Sequence, residues 1–278
     1  MVVWTIVNVE DWGIERPMPR TVLSPPMGQP LLPDLPNWAW HEYGMRVGFW
    51  RLLECMQKFG VTPTLAINGV VCRNYPRIAQ AAKDAGWEFM GHGWLQAADA
   101  QGRGPARGDP RNDRGDSRRS PGKPPRGWES PGLTETFDTI DYLAEAGIEY
   151  VADWVLDDQP VYIATAHGPV LSVPYTVEVN DIAMMVVQHH SAEEMLRRGS
   201  DHFDRLYEES AVSRRVMAIS VHPYVSGFRT ASATSSSSYR HVLGKPGVAA
   251  LDRRADPGLV SRPSAAARDE RKRALKVD

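Results

Sequence analysis

Short runs rich in β-branched residues alternate along this chain with segments whose apolar residues recur every three or four positions. That alternation restricts the fold more than any other feature. Val2–Val9, Thr62–Asn68, Trp87–Gly91, Ile148–Leu156 and Val216–Val221 read as buried strands. Between them, Phe49, Leu52, Leu53, Met56 and Phe59 share one helical face, and Gly60 supplies a stop. Pro76 opens a second helix that ends at Gly86, because a proline in the first turn gives up an N–H that has no partner there. Leu133, Phe137, Ile140 and Ala144 line a third, ending at Gly147. Ser191 with Glu194 forms a capping box for a fourth, which carries Met195, His202, Phe203 and Leu206. Strands and helices in this order build βαβ units and a mainly parallel sheet. A length of 278 residues fits one large α/β domain or two small ones.

Other classes are disfavoured. A formal charge of −2 argues neither for a nucleic acid nor for an anionic membrane as partner. The two cysteines, Cys55 and Cys72, lack metal-type spacing and are expected to stay reduced. The opening residues run straight into Glu10 and Asp11, which reads as a strand rather than a signal peptide. No apolar stretch approaches the roughly 20 residues of a membrane span. The expectation is a cytoplasmic protein; both a monomer and a homo-oligomer stay open.

Four polar clusters fall where a strand is ending, the edge at which parallel barrels build their sites. Glu10-Asp11 follows the first strand and could supply a general base and a metal ligand, or simply a solvated pair. His92 stands between two glycines that allow close backbone approach, with Trp94 beside it. Asp153, Asp157 and Asp158 crowd negative charge, although the last two could just as well begin a turn before Pro160. His222-Pro223 closes the last strand with a group suited to acid–base work near neutrality. Asn180-Asp181, after Pro174-Tyr175-Thr176, suits either substrate recognition or an Asx turn.

Taken together, these clusters resemble the polysaccharide deacetylase (NodB-homology) family, and more closely its allantoinase-like branch. The resemblance is carried by His41 to Arg51, Gly91-His-Gly-Trp94, Arg126-Gly-Trp128, Asp153-Trp with Asp157-Asp158-Gln-Pro, Val173 to Asp181, and Val221-His222-Pro223. It implies a distorted (β/α) barrel over residues 1–227 that hydrolyses a non-peptide C–N bond. The substrate would be a small N-acetylated sugar or a cyclic amide. By the resemblance, Asp11 and Glu10 form the first acidic motif, Asp11 and His92 hold a divalent metal such as zinc, Arg126 orients an acidic residue, and His222 is the general acid. Asp153 joins the catalytic set, and Trp94, Trp128, Asp157, Asp158, Tyr175, Asn180 and Asp181 are the expected substrate contacts. Position 96 is glutamine where the family's metal motif has its second histidine, so a metal-free reaction is the alternative.

Residues 97–122 and 228–278 are both rich in Arg, Gly, Ala, Ser and Pro and show no periodicity. Disorder is one reading. The other is a shifted reading frame: codons exist through which a shift turns 97–119 into an amphipathic helix and Leu251–Ser261 into a likeness of the family's closing segment. An inactive product of such a gene, or a non-catalytic barrel that binds a sugar or metabolite, is the competing expectation.

Overall fold

The computed structural model describes residues 1–96 and 124–250, so the aperiodic stretch 97–122 and the end of the tail lie outside the described residues. Nine strands form one curled sheet in the order β6-β7-β5-β4-β3-β2-β1-β8, with β9 also on β1. They are β1 (Val2–Val9), β2 (Thr64–Ile67), β3 (Glu88–Gly91), β4 (Gly127–Trp128), β5 (Tyr150–Val151), β6 (Val161–Ile163), β7 (Val170–Ser172), β8 (Val216–Val221) and β9 (Ala249–Ala250). All pairings are parallel except the β6–β7 hairpin. The far edge of β8 is met by irregular chain, with Val216 N–H donating to Asp158 O at 2.9 Å and Ser220 N–H to Val179 O at 3.0 Å. The sheet thus curls into a distorted barrel.

The strands bury both faces, and the two faces do different work. In β1, Val3, Val7 and Val9 belong to the outer core against the helices, while Trp4 and Ile6 belong to the barrel interior. In β8, Met217, Ile219 and Val221 face out, and Val216 and Ala218 face in. Successive side chains in a strand point to opposite faces. Counting on in steps of two therefore puts Asn8 and Glu10 of the first segment, and Ser220 and His222 of the last, inside the barrel. Ala66 and Met90 face in as well, which carries Asn68 and His92 inward with them. Trp128, Val151 and Val170 pack outward with Leu143, so Glu129 lands on the inner face.

The helices are α1 (Leu35–Tyr43), α2 (Phe49–Phe59), α3 (Val71–Asn74), α4 (Pro76–Asp84), α5 (Thr139–Glu145), α6 (Ala192–Glu209) and α7 (Arg229–Leu243). The anticipated face Phe49, Leu52 and Met56 is buried, and Gly60 ends α2 in the left-handed conformation at φ 64°. Within the Pro-rich stretch 13–40, Asp34 caps α1 through Asn37 N–H, and Pro36 sits in its first turn, where proline is tolerated. A five-residue π turn, Gly44–Gly48, joins α1 to α2.

Other expectations shift. The long strand at Ile148–Leu156 shortens to β5, and α5 begins at Thr139, leaving Phe137 fully exposed. Ser191 starts α6 without a side-chain cap, and Glu194 turns to Arg197 and Arg198, so the capping box does not form. Order also outlasts Gly227: α7 buries Ala231, Tyr239 and Val242, spaced by eight and three, and β9 extends the described chain to Ala250.

Gly44 and Gly48 mark the closest approach of the helical layer to the segment after β8. A Cβ at Gly48 would lie 2.1 Å from the Pro223 carbonyl oxygen, and one at Gly44 would lie 2.5 Å from the Tyr224 backbone. Backbone cannot yield as a side-chain tip can. Gly48→Ala should therefore destabilise the protein by about 1–3 kcal/mol or more, as overpacking does. A denaturant midpoint equal to the parent's would show that the two segments separate freely.

Candidate active site

Five strand ends deliver polar side chains to one mouth of the barrel. Glu10, Asn68, His92 and Glu129 each follow directly on β1, β2, β3 and β4, and His222 follows β8. All are buried.

Glu10 is the centre. Its Oε2 accepts hydrogen bonds from Trp12 Nε1 at 2.8 Å and Tyr224 OH at 2.7 Å. Its Oε1 faces two imidazoles, His92 Nε2 at 3.5 Å and His222 Nε2 at 3.8 Å. His92 Nδ1–H donates to Glu129 O at 2.7 Å, and since a carbonyl only accepts, the tautomer is set. His222 Nδ1 is held by Asp181 Oδ1 at 2.6 Å, while Asp181 Oδ2 takes the His222 N–H at 2.7 Å and the Ser226 hydroxyl at 2.7 Å. Both rings thereby aim Nε2 at the same oxygen. His92 Nε2 is buried and makes no hydrogen bond of its own.

Charge follows geometry. Burial pushes the Glu10 carboxyl up, but the facing His92 and His222 and the Tyr224 hydroxyl outweigh it and hold the group at about 2. Burial pushes His92 down, yet the carboxylates of Glu10 and Glu129 raise it to about 9. His222 is also raised: burial opposes its charge, and Asp181 more than compensates. Near neutrality the site therefore holds a Glu10 carboxylate facing a His92 imidazolium, with Asp181 and Glu10 drawing His222 toward its charged form.

One layer deeper lies a polar floor. Asn8, with its amide nitrogen turned inward, donates to both Glu129 oxygens at 3.1 and 3.2 Å and accepts from Ser220 Oγ at 2.8 Å. Ser220 Oγ also shares a hydrogen bond with Tyr175 OH at 2.8 Å. Burial pushes the Glu129 carboxyl up.

Several expected site residues lie elsewhere, and strand alternation explains most of them. Asp11 falls on the other face, with its N–H on Asn68 Oδ1 at 2.9 Å and its Oδ2 taking Asn74 Nδ2 at 2.5 Å. Trp128 packs outward and donates to Ser130 Oγ. Asp153 is outward too, clasped by the Ser130 N–H at 2.5 Å and hydroxyl at 2.8 Å; burial and the neighbouring Glu135 push its carboxyl well up. Arg126 precedes β4, so it lies at the opposite end of the barrel, paired with Glu149 at 2.6 Å. It orients no acid of the site. Asp157 caps its own turn at Gln159, and the Asp158 carbonyl meets the start of β8, again the opposite end. Asn180 caps the turn at Ile182, and Asp181, fully buried, orients His222 and leaves nothing for a substrate. Tyr175 lies in the floor. Trp94 stands at the rim, flat against Gly69, with the Arg73 guanidinium 5.7 Å from its ring. Glu129, Asn68, His41 and Tyr224 were not anticipated.

The residues do not fit the implied metal. Asp11 turns to Asn74, His92 to Glu10, and position 96 is glutamine; among the described residues no three His, Cys, Asp or Glu side chains are arranged to hold an ion. No helix of the described residues is long and apolar enough to cross a membrane.

Comparison with known proteins agrees with this architecture. No family model matches the chain. A Schizosaccharomyces pombe protein named as a polysaccharide deacetylase is 25% identical over 270 residues, covering 86% of this chain and 80% of that one. Among solved structures, a polysaccharide deacetylase from Pseudomonas aeruginosa PAO1 superposes with a TM-score of 0.78 at 26% identity, covering 91% of this chain and 88% of that one. An allantoinase shares the fold at TM-score 0.78 and 23% identity, over 91% and 87% of the two chains. These neighbours point to the polysaccharide deacetylase family, and the curled sheet matches that family's distorted barrel.

Proposed function

We propose that this chain hydrolyses a non-peptide C–N bond, in an N-acetylated sugar or a small cyclic amide, with Glu10, His92 and His222 as its working groups. The observation that carries the reading is the convergence of both Nε2 atoms on Glu10 Oε1, at 3.5 and 3.8 Å.

In this reading the substrate carbonyl oxygen takes the otherwise unbonded His92 Nε2–H. The fixed positive charge stabilises the oxyanion that develops on attack. With His92 engaged by substrate, Glu10 loses part of what depresses its proton affinity and becomes a better base. It accepts a proton as water adds to the amide carbon. His222 Nε2–H then protonates the departing nitrogen, the C–N bond breaks, and a carboxylic acid and an amine leave. The proton on Glu10 passes to the facing His222, which restores the starting state.

The deacetylase names of its relatives support a carbohydrate substrate. Acetate release from chitooligosaccharides, measured beside allantoin hydrolysis, separates the two substrate classes. Turnover is expected to survive exhaustive chelation, because His92 supplies the positive charge. A folded protein that turns over neither substrate would end the reading, and activity that chelation abolishes and zinc restores would replace His92 with a metal.

A further inference from the structure

His41 is a buried titratable group that the mechanism above does not use. It lies on α1, fully buried, and its Nε2 sits 2.8 Å from the Glu10 carbonyl oxygen. A carbonyl only accepts, so Nε2 carries the hydrogen. The ring stacks on Trp12 with centroids 4.7 Å apart and planes 17° apart, and Trp12 is the residue whose indole N–H holds Glu10 Oε2. One imidazole thus grips the backbone of Glu10 and braces the ring that grips its carboxylate.

The other nitrogen shows that packing is not the reason for a histidine here. Nδ1 is buried without a hydrogen-bond partner, 3.9 Å from Glu42 Oε1. An unpaired buried polar atom is costly, and an aliphatic side chain of similar size would avoid that cost. We infer that His41 is a positioning residue: its Nε2–H fixes the direction in which the Glu10 carboxylate leaves β1. Burial keeps the ring neutral, at about 4, against the opposing pull of Glu10. The titratable groups that face it are Glu10 after β1, Glu42 on its own helix and Tyr224 after β8.

The inference rests on Glu10 being the working carboxylate, and the test separates the two ideas. His41→Gln keeps a donor near the position of Nε2, whereas His41→Leu fills the space without one. The leucine variant should lose about tenfold or more in kcat at nearly unchanged KM, the scale of one misplaced hydrogen bond, and the glutamine variant should recover most of it. Two folded variants that both match the parent, or that lose activity equally, overturn the inference. Nitrogen-15 NMR of the imidazoles in the parent needs neither substrate nor variant. It should find His41 neutral and protonated at Nε2 from pH 5 to 8, and an Nδ1–H tautomer would overturn the inference even if the leucine variant failed to fold. Full activity in Glu10→Gln would instead remove the reading of Glu10 and leave the NMR result to decide the contact.

Discussion

Glu10→Gln should lower kcat by about 10²- to 10⁴-fold, the usual contribution of a positioned general base, while KM changes little. Glutamine preserves the shape of the side chain and can still accept from Trp12 and Tyr224 through its carbonyl oxygen. It presents an NH2 to His92 and His222 where a carboxylate stood, so it accepts no proton from water and no longer offsets the His92 imidazolium charge. Asp11→Asn is the paired control: Asp11 lies on the opposite strand face against Asn74 and should lose far less. Steady-state kinetics on whichever substrate is turned over decides the matter. Equal losses at 10 and 11 would return the working carboxylate to the pair as a whole.

His92→Ala is expected to cost about 3–5 kcal/mol of stability, the scale of breaking a buried ion pair by removing one partner. The Glu10 charge would then be left to Trp12, Tyr224 and His222. The pair also shapes the pH dependence of the parent. The Glu10 carboxyl is held near 2, below its ordinary 4.5, so its contribution is full above pH 4.5 and is lost as the pH falls toward 2. His92 is held near 9, above its ordinary 6.5, so its contribution is full below pH 6.5 and is lost as the pH rises through 9. The pair is therefore worth most between pH 4.5 and 6.5. Urea midpoints measured from pH 5 to 10 should decline through the alkaline range in the parent, and that decline should flatten in His92→Ala. A parent whose midpoint stays level up to pH 10 would mean that His92 is neutral at rest.

The elements that the sequence located well were those with long patterns: the continuous apolar runs of β1 and β8, buried on both faces, and the buried face of α2. Buried two-residue strands such as β4 and β5 offer no alternation to count, so nothing in the sequence separates the outward Trp128 from the inward Glu129. The choice between Glu10 and Asp11 was nevertheless written in the chain. Asn8 is the amide-bearing residue of a strand that otherwise holds only apolar residues and Thr5, it faces inward, and Glu10 lies two positions on. Ser220 marks the same face ahead of His222. Asp181 and Arg126 are illegible for another reason: adjacency along the chain says nothing about which end of a barrel a residue occupies, or whether a partner already claims its charge. His41 opens the segment that carries the family resemblance, yet its contact with Glu10 is invisible there, since it depends on α1 meeting the end of β1.

Because the site side chains continue the inward face of β1 and β8 while the side chains that anchor the helices occupy the outward face, the two sets can change independently. The inward polar positions at the ends of these strands, Asn8, Glu10, Ser220 and His222, can be exchanged to accept a different leaving group without touching Val3, Val7, Val9, Ile219 and Val221, which pack against the helices. A scaffold arranged this way allows its catalysis to be rewritten, or silenced, while its shape persists.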